Sequence, residues 1–508
     1  MDGESRYAGS PRILFVASEV YPLAKTGGLA DVCGALPAML ANLGADIRVM
    51  LPGYPQALDM VRDKRELALD LPEGRLIAGR FPNSDLPVLL FDCPALFGRK
   101  GGLYQDADGN DWQDNDRRFG MFCRAALAVA TGRTALPWRP QLVHANDWHT
   151  GLIPALLRCS GRTAPKTIFT IHNLAFQGNF PLTAFPGLGL PPEALSPEGV
   201  EFYDHVSFLK AGLLYSDRLT TVSPTYAREI LTPEHGCGFD GLLRARAEQL
   251  TGILNGIDYN VWDPASDADL PCRYSVESLD GKAACKNALR EEMGLPNNNS
   301  EAPLIIYSNR LTHQKMADVV LEAIPALVAN GCQLAVQGEG DRGLEQSFLA
   351  AARAHPRNIA VRVGYAEPLA HRMHAGADLS LTPSRFEPCG LTTMYAMRYG
   401  ALPVTRPVGG LKDTVDDADA SGNAGEGSGF VFGDATAEEL ARCVDRATDW
   451  YTKRDNWDAL QRRAMRRDFG WERSAQQYLA LYAELLIENR PGQHRSGQEA
   501  VEQLALGS

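Results

Sequence analysis

The residues best equipped for chemistry begin at Lys25, in Lys-Thr-Gly-Gly-Leu-Ala-Asp-Val over 25–32. Gly27 and Gly28 let backbone N–H groups approach an anion, a following helix adds the positive end of its dipole, and Lys25 adds a full charge. The stretch is neither a Walker loop nor the Gly-x-Gly-x-x-Gly dinucleotide fingerprint. Alone, it describes a tight turn with a solvated lysine equally well. A second cluster, Ser-Asn-Arg-Leu-Thr-His-Gln-Lys over 308–315, sets Arg310 and Lys315 around a short loop, which suits a guanidinium and an ammonium sharing one diphosphate. In the third, over 384–400, Glu387 precedes Pro388, and Gly390, Leu391 and Thr392 open a helix whose N–H groups could hold a phosphate.

Histidines form the fourth set: His144, Asp147 and His149 in "HANDWH", and His172 with Asn173 in "TIHN". Each stands at a strand end, where a histidine is more often a hydrogen-bonded core residue than a catalyst. His371 and His374 in "HRMH" have no partner nearby in sequence, and "DADGND" at 106–111 lacks the Gly and Glu of a calcium loop, having Asp111 and Arg117 at those positions. The pairs Asp106/Asp108, Asp267/Asp269 and Asp417/Asp419 fall in polar loops. No metal centre is predicted, and no Gly-x-Ser-x-Gly elbow offers a nucleophile.

Positioning these groups takes strands that end at the loops. "RILFVASEV", 12–20, is an apolar run, and Leu29, Val32, Leu36, Leu40 and Leu43 then recur at helical spacing until Gly44, before "ADIRVMLP". That is a βαβ unit. "QLVHAND", "KTIFTIHN" and "RLTTVSP" continue the series, which restarts near 303 with "PLIIYSNRL", "CQLAVQGEG", "IAVRVGY", "ADLSLTPSRF" and "ALPVTRP". Two series predict two doubly wound α/β domains with parallel sheets, joined through the polar stretch 263–302. "KTGGLADV" is echoed by "VGGLKDTV" at 408–415, again in a strand-to-helix turn. The chain ends in helical stretches and a polar tail over 491–508.

With 508 residues, 45% hydrophobic and 22% charged, the chain has length for large cores and the composition of a soluble globular protein. A net charge of −12 disfavours a nucleic-acid partner. The start, "MDGESRYAGSPR", lacks the regions of a secretory signal, and no apolar run nears the ~18 residues of a spanning helix. Ten cysteines without a Cys-x-x-Cys pair read as reduced thiols, so the expected location is the cytoplasm.

Together, "KTGGLADV", "HANDWHTGL", "TIHNLAFQG", "FLKAGLLYSDRLTTVSPTYAREI", "LNGIDYNVWDP", "RLTHQK", "AGADLSLTPSRFEPCGLTTMYAMRYGALPV" and "GGLKDTV" resemble the bacterial glycogen synthase and plant starch synthase family of retaining glycosyltransferases, in the family's order. The resemblance implies a GT-B fold: two facing Rossmann-like domains with a cleft between them, one over 11–262 on the acceptor side with a returning helix near 472–490, the other a nucleotide-sugar domain over 263–471. It implies glucose transfer from ADP-glucose to the non-reducing 4-hydroxyl of an α-1,4-glucan such as glycogen, with retention and without a cofactor or a membrane partner.

By position, Lys25, Gly27 and Gly28 resemble the loop that meets the donor, and Arg310 and Lys315 the cations on its diphosphate. Glu387 with Cys389, Gly390, Leu391 and Thr392 resembles the element holding the glucose hydroxyls and distal phosphate, with His172 and Asp147 flanking the sugar and Tyr104 and Asn255 nearby. Tyr395 stands where the wider class has a second Glu, as in glycogen synthases. Met316, Ala366 and Phe176 depart from the family's usual Gly, Asp and Tyr. The rival readings are a different sugar transferase, a phosphorylase carrying pyridoxal phosphate, or a catalytically silent glucan-binding protein.

Overall fold

The computed structural model describes residues 10–106, 108–161, 164–297, 302–419 and 427–487; the tail at 491–508 lies outside the described residues. The chain forms two compact Rossmann-like units. One runs to Val222, resumes over Ala227–Gly256 and takes in the chain from Trp471; the other comprises Ser223–Tyr226 and Ile257–Gly470.

The first unit is built on nine strands: β1 (Arg12–Val16), β2 (Asp46–Pro52), β3 (Arg62–Leu67), β4 (Arg75–Arg80), β5 (Pro87–Asp92), β6 (Leu142–Asn146), β7 (Lys166–Ile171), β8 (Arg218–Thr221) and β9 (Leu250–Gly252). Their order is β9-β8-β7-β6-β1-β2-β5-β4-β3, parallel except for the hairpin pairings β5/β4 and β4/β3. Ile13, Leu14, Phe15 and Val16 of β1 are fully buried, as a central parallel strand covered on both faces requires. Helix α1 (Gly28–Asn42) follows β1 and ends ahead of Gly44, whose φ of 97° lies in the left-handed region that glycine tolerates. The hairpin escapes a reading by hydropathy: "RDKRE" of β3 is entirely exposed, and that run of charge protects the sheet's edge from pairing with other chains.

The second unit has six parallel strands: β10 (Leu304–Ser308), β11 (Gln333–Gly338), β12 (Ile359–Val363), β13 (Leu379–Thr382), β14 (Leu402–Thr405) and β15 (Phe430–Val431), ordered β12-β11-β10-β13-β14-β15. Helices α2 (Ala317–Ala329), α3 (Leu391–Arg398) and α4 (Gly409–Thr414) follow β10, β13 and β14. Leu304, Ile306, Ala335, Met373 and Ala396 belong to one buried cluster that joins strands to helices. A last helix, α5 (Trp471–Ile487), packs on α1 of the first unit.

In each sheet the strand order reverses beside the first strand, where open parallel sheets bind ligands at their C-terminal edge. In the first unit that point lies between β1 and β6, bringing together the loops that carry Lys25 and Asp147. In the second it lies between β10 and β13, bringing together those that carry Arg310, Lys315 and Glu387. The echoed "VGGLKDTV" also opens a helix after a parallel strand, but after β14, so its topological counterpart is not the Lys25 loop.

Candidate active site

In the first unit, an acid that motif reading passes over organises the Lys25 loop. Glu19, 4% exposed just past β1, accepts the N–H groups of Thr26 at 2.6 Å and Gly27 at 3.0 Å on Oε2. The anion met by these amides is therefore the chain's own carboxylate. Its Oε1 accepts the Tyr104 hydroxyl at 2.6 Å, and Ser18 Oγ lies 2.8 Å from that hydroxyl. Burial raises the Glu19 pKa, while Tyr104 and the two amides pull it back. Tyr104 is itself placed by the helix Asn115–Ala130: Asn115 donates to its carbonyl at 3.0 Å, and buried Arg118 donates to the carbonyls of Leu96 and Leu103. The sequence signal for Glu19 is slight: an acid closing a run that is otherwise apolar.

Lys25 Nζ lies 2.8 Å from Asp31 Oδ1 in the first turn of α1, so its charge is already steered by the helix it precedes. Gly27 caps that helix with extended backbone, and a Cβ there would meet no protein atom within 4 Å. Nothing in the fold's packing demands glycine at that position.

Asp147 follows β6 with φ 61° and ψ 176°, a combination close to glycine-only. Its carboxylate accepts Trp148 N–H at 3.2 Å, and burial pushes its pKa up to about 8. His149 stacks between Trp148, at 3.9 Å, and Tyr104, at 4.4 Å. His172 Nε2 lies 3.0 Å from Asn146 Oδ1, and burial lowers its pKa, keeping the ring neutral. His144 has the bland role: it bridges Tyr482 of α5 at 2.7 Å and Thr170 of β7 at 2.6 Å inside the core. Asn255 follows β9, four strands from β1, or about 19 Å across the sheet. It is buried, and its Oδ1 has no hydrogen-bond partner among the described residues.

In the second unit the two switch-point loops interlock. Lys315 Nζ donates to Glu387 Oε2, which also accepts Ser384 Oγ at 2.8 Å. Exposed Arg310 donates to Gln314 Oε1 at 3.2 Å, and Gln314 donates to the Phe386 carbonyl at 3.3 Å. Arg385 grips Asp318 of α2 through two nitrogens, at 2.9 and 2.7 Å. Met316 caps α2 at φ 57°, fully buried, so a methionine holds the left-handed turn that the resemblance assigns to glycine. Gly390 caps α3 at φ 85°. Behind it, Gly410 N–H donates to the Glu387 carbonyl at 3.0 Å, and a Cβ on Gly410 would stand 2.1 Å from the Cys389 oxygen. Glu387, Cys389 and the first turn at Leu391 and Thr392 are thus held as one piece, with two cations at its edge.

His371 is better partnered than its sequence neighbours suggest. Its Nδ1 lies 2.7 Å from Asp267 Oδ2, which also accepts the Tyr399 hydroxyl at 2.5 Å. Asp267, Asp269 and His371 bring candidate ligand atoms within 4.8 Å of one another, but the Asp267 oxygen is already engaged. None of the ten cysteines is in a disulfide, and among the described residues no helix is long and apolar enough to cross a membrane.

Two family matches divide the chain as the sheets do: residues 12–245 match the starch synthase catalytic domain, and residues 290–463 match glycosyl transferases group 1. A glycogen synthase of Burkholderia thailandensis is 54% identical over 94% of this chain and 91% of its own. One from Paramagnetospirillum magneticum is 51% identical over 93% and 97%. The solved catalytic domain of starch synthase IV from Arabidopsis thaliana, bound to ADP and acarbose, superposes with a TM-score of 0.85 at 32% identity, over 94% of this chain and all of that one.

Proposed function

The chain belongs to the glycogen and starch synthase family of glycosyltransferases, and from that premise we propose that it moves glucose from ADP-glucose to the non-reducing 4-hydroxyl of an α-1,4-glucan, with retention, in the cytoplasm. The observation that carries this reading is the meeting of Lys315, Glu387 and the first turn of α3 at the second unit's switch point. Cysteines outside any disulfide, three of them exposed, fit a reducing compartment.

In this mechanism the bond from the anomeric carbon to the phosphate oxygen breaks and negative charge grows on the leaving diphosphate. Arg310 and Lys315 stabilise that charge, and their effect is largest in the transition state because that is where the charge appears. The amides from Cys389 to Thr392 meet the distal phosphate at the positive end of α3. Glu387 accepts from glucose hydroxyls while sharing the Lys315 ammonium, so donor binding redistributes a charge already held in place. In the first unit, Lys25, Gly27, Gly28, Tyr104, Asp147 and His172, the last as a neutral ring, keep the donor-binding and catalytic roles that the family resemblance gives them. The acceptor's 4-hydroxyl attacks from the face the phosphate leaves, and the phosphate oxygen takes its proton. No second carboxylate is required, which agrees with Tyr395 one turn into α3.

Glucose incorporation into glycogen from ADP-glucose and from UDP-glucose, with wild type and the variants Arg310→Ala and Glu387→Ala, tests the reading. ADP-glucose is the expected donor, and each variant should lose roughly 10²–10³ in kcat while unfolding at the wild-type temperature. Near-normal turnover in the folded variants, or a preference for UDP-glucose, would contradict it.

A further inference from the structure

The motif Leu254-Asn255-Gly256-Ile257-Asp258-Tyr259-Asn260-Val261-Trp262-Asp263-Pro264 carries the chain from one unit into the other, and most of it has no part in the chemistry above. Its contacts converge on α3. Trp262, 3% exposed, is stacked between two rings: Tyr395 of α3 at 3.8 Å and 12°, and His371 at 3.8 Å and 11°. Arg398, the last residue of α3, donates to Asp263 Oδ2 at 2.6 Å and lies 4.4 Å over the Tyr259 ring. Tyr399 follows and is bonded to Asp267.

Tyr259 in turn accepts the Phe469 N–H at 2.7 Å and donates to Asp468 Oδ1 at 3.0 Å, while Ile257 N–H reaches the Phe469 carbonyl at 2.8 Å. The passages of chain at Gly256–Ile257 and at Gly470–Trp471 are therefore both tied to the residue over which Arg398 sits. The eight residues of α3 span about 12 Å, with the clamp at one end and the Glu387 element at the other.

We propose that Trp262 and Arg398 are positioning residues of the donor site. A helix this short is stiff along its axis, so its rotation and advance at the C-terminal end are passed to the amides at its first turn. A flat ring stack admits few orientations of Tyr395, and a charged contact to Asp263 fixes the remaining angle. Misplacement of a site by about 1 Å can cost two orders of magnitude in rate, so fixing that helix has catalytic value beyond stability. The inference rests on the donor reading of α3 given above.

The test is ADP affinity by titration calorimetry on the full chain, alongside KM for ADP-glucose and for glycogen, in Trp262→Leu, Trp262→Phe, Arg398→Gln and Arg398→Lys. Trp262→Leu and Arg398→Gln should weaken ADP by about tenfold and raise the donor KM with the glycogen KM unchanged, and the Phe and Lys variants should recover most of the loss. A purely structural role would lower the unfolding temperature and leave the folded fraction's affinity alone. Wild-type ADP affinity in the folded Leu and Gln variants, or an equal rise in the glycogen KM, overturns the inference. If Trp262→Leu does not fold, Arg398→Gln decides alone, since its side chain is 26% exposed and tolerates replacement. Wild type that binds no ADP overturns the donor reading, and this inference with it; ordinary ADP binding by every variant overturns this inference alone.

Discussion

Asp147 pays for its place twice, in backbone strain and in burial of a carboxylate. A non-glycine residue at φ 61° and ψ 176° costs about 1–3 kcal/mol, and glycine there would return part of that through its unfolded-state entropy, about 0.5–1 kcal/mol. Relief of strain outweighs the entropy, so Asp147→Gly should raise the unfolding temperature while cutting transferase activity, a trade expected where strain serves a site. The carboxyl adds a pH signature. With its pKa raised to about 8, the folded chain keeps a proton that the unfolded chain has lost at neutral pH, so stability falls as pH climbs from about 4 through 8. Asp147→Asn removes that proton, and its unfolding temperature relative to wild type should be more favourable at pH 9 than at pH 5. Melts at the two pH values, set beside an activity assay, check both variants. Much of this residue-scale picture is legible in the letters: Lys25 and Glu387 announce themselves by charge close to glycine or proline, and Arg310 and Lys315 as two cations bracketing a short loop at a strand's end. Glu19 does not, because one acid after "RILFVAS" looks like any strand end until the amides of Thr26 and Gly27 fold back onto it.

At the scale of elements, the glycines of the two loops serve different ends although both stretches read "GGL". Gly27 faces open space, whereas Gly410 is wedged against Cys389. Gly27→Ala should therefore melt like wild type yet raise the donor KM, because only a ligand would meet the new methyl. Gly410→Ala must push the Cys389 carbonyl aside, so it should lower both the unfolding temperature and ADP affinity. Thermal melts and steady-state kinetics separate the pair, and a wild-type donor KM in Gly27→Ala would show that nothing approaches there. The periodicity of α1, with Val32, Leu36 and Leu40 buried on one face, makes such a helix readable without coordinates. The edge hairpin was not readable, because charged β3 has no apolar alternation and forms only through its pairing with β4.

For the whole molecule, the last helix belongs with the first unit rather than with the residues that precede it in sequence. Its Tyr482 bonds to fully buried His144, and Tyr482→Phe leaves that imidazole nitrogen without a partner, a cost of about 1–3 kcal/mol. Hydrogen exchange should show faster opening of β1, β6 and β7 in this variant and no change in β10 to β15; equal loss in both units would mean they do not unfold separately. Sequence alone determined the two series of strand, loop and helix, and the charged loops that end them, because hydrophobic period and glycine punctuation act over a few residues. Which loops share a site was decided only by tertiary structure. Lys315 and Glu387 stand 72 residues apart and meet because β13 enters the sheet beside β10, on the side opposite β11. Trp262 likewise reads as an isolated aromatic until α3 is packed against it, since a ring stack is a property of two elements and not of either one.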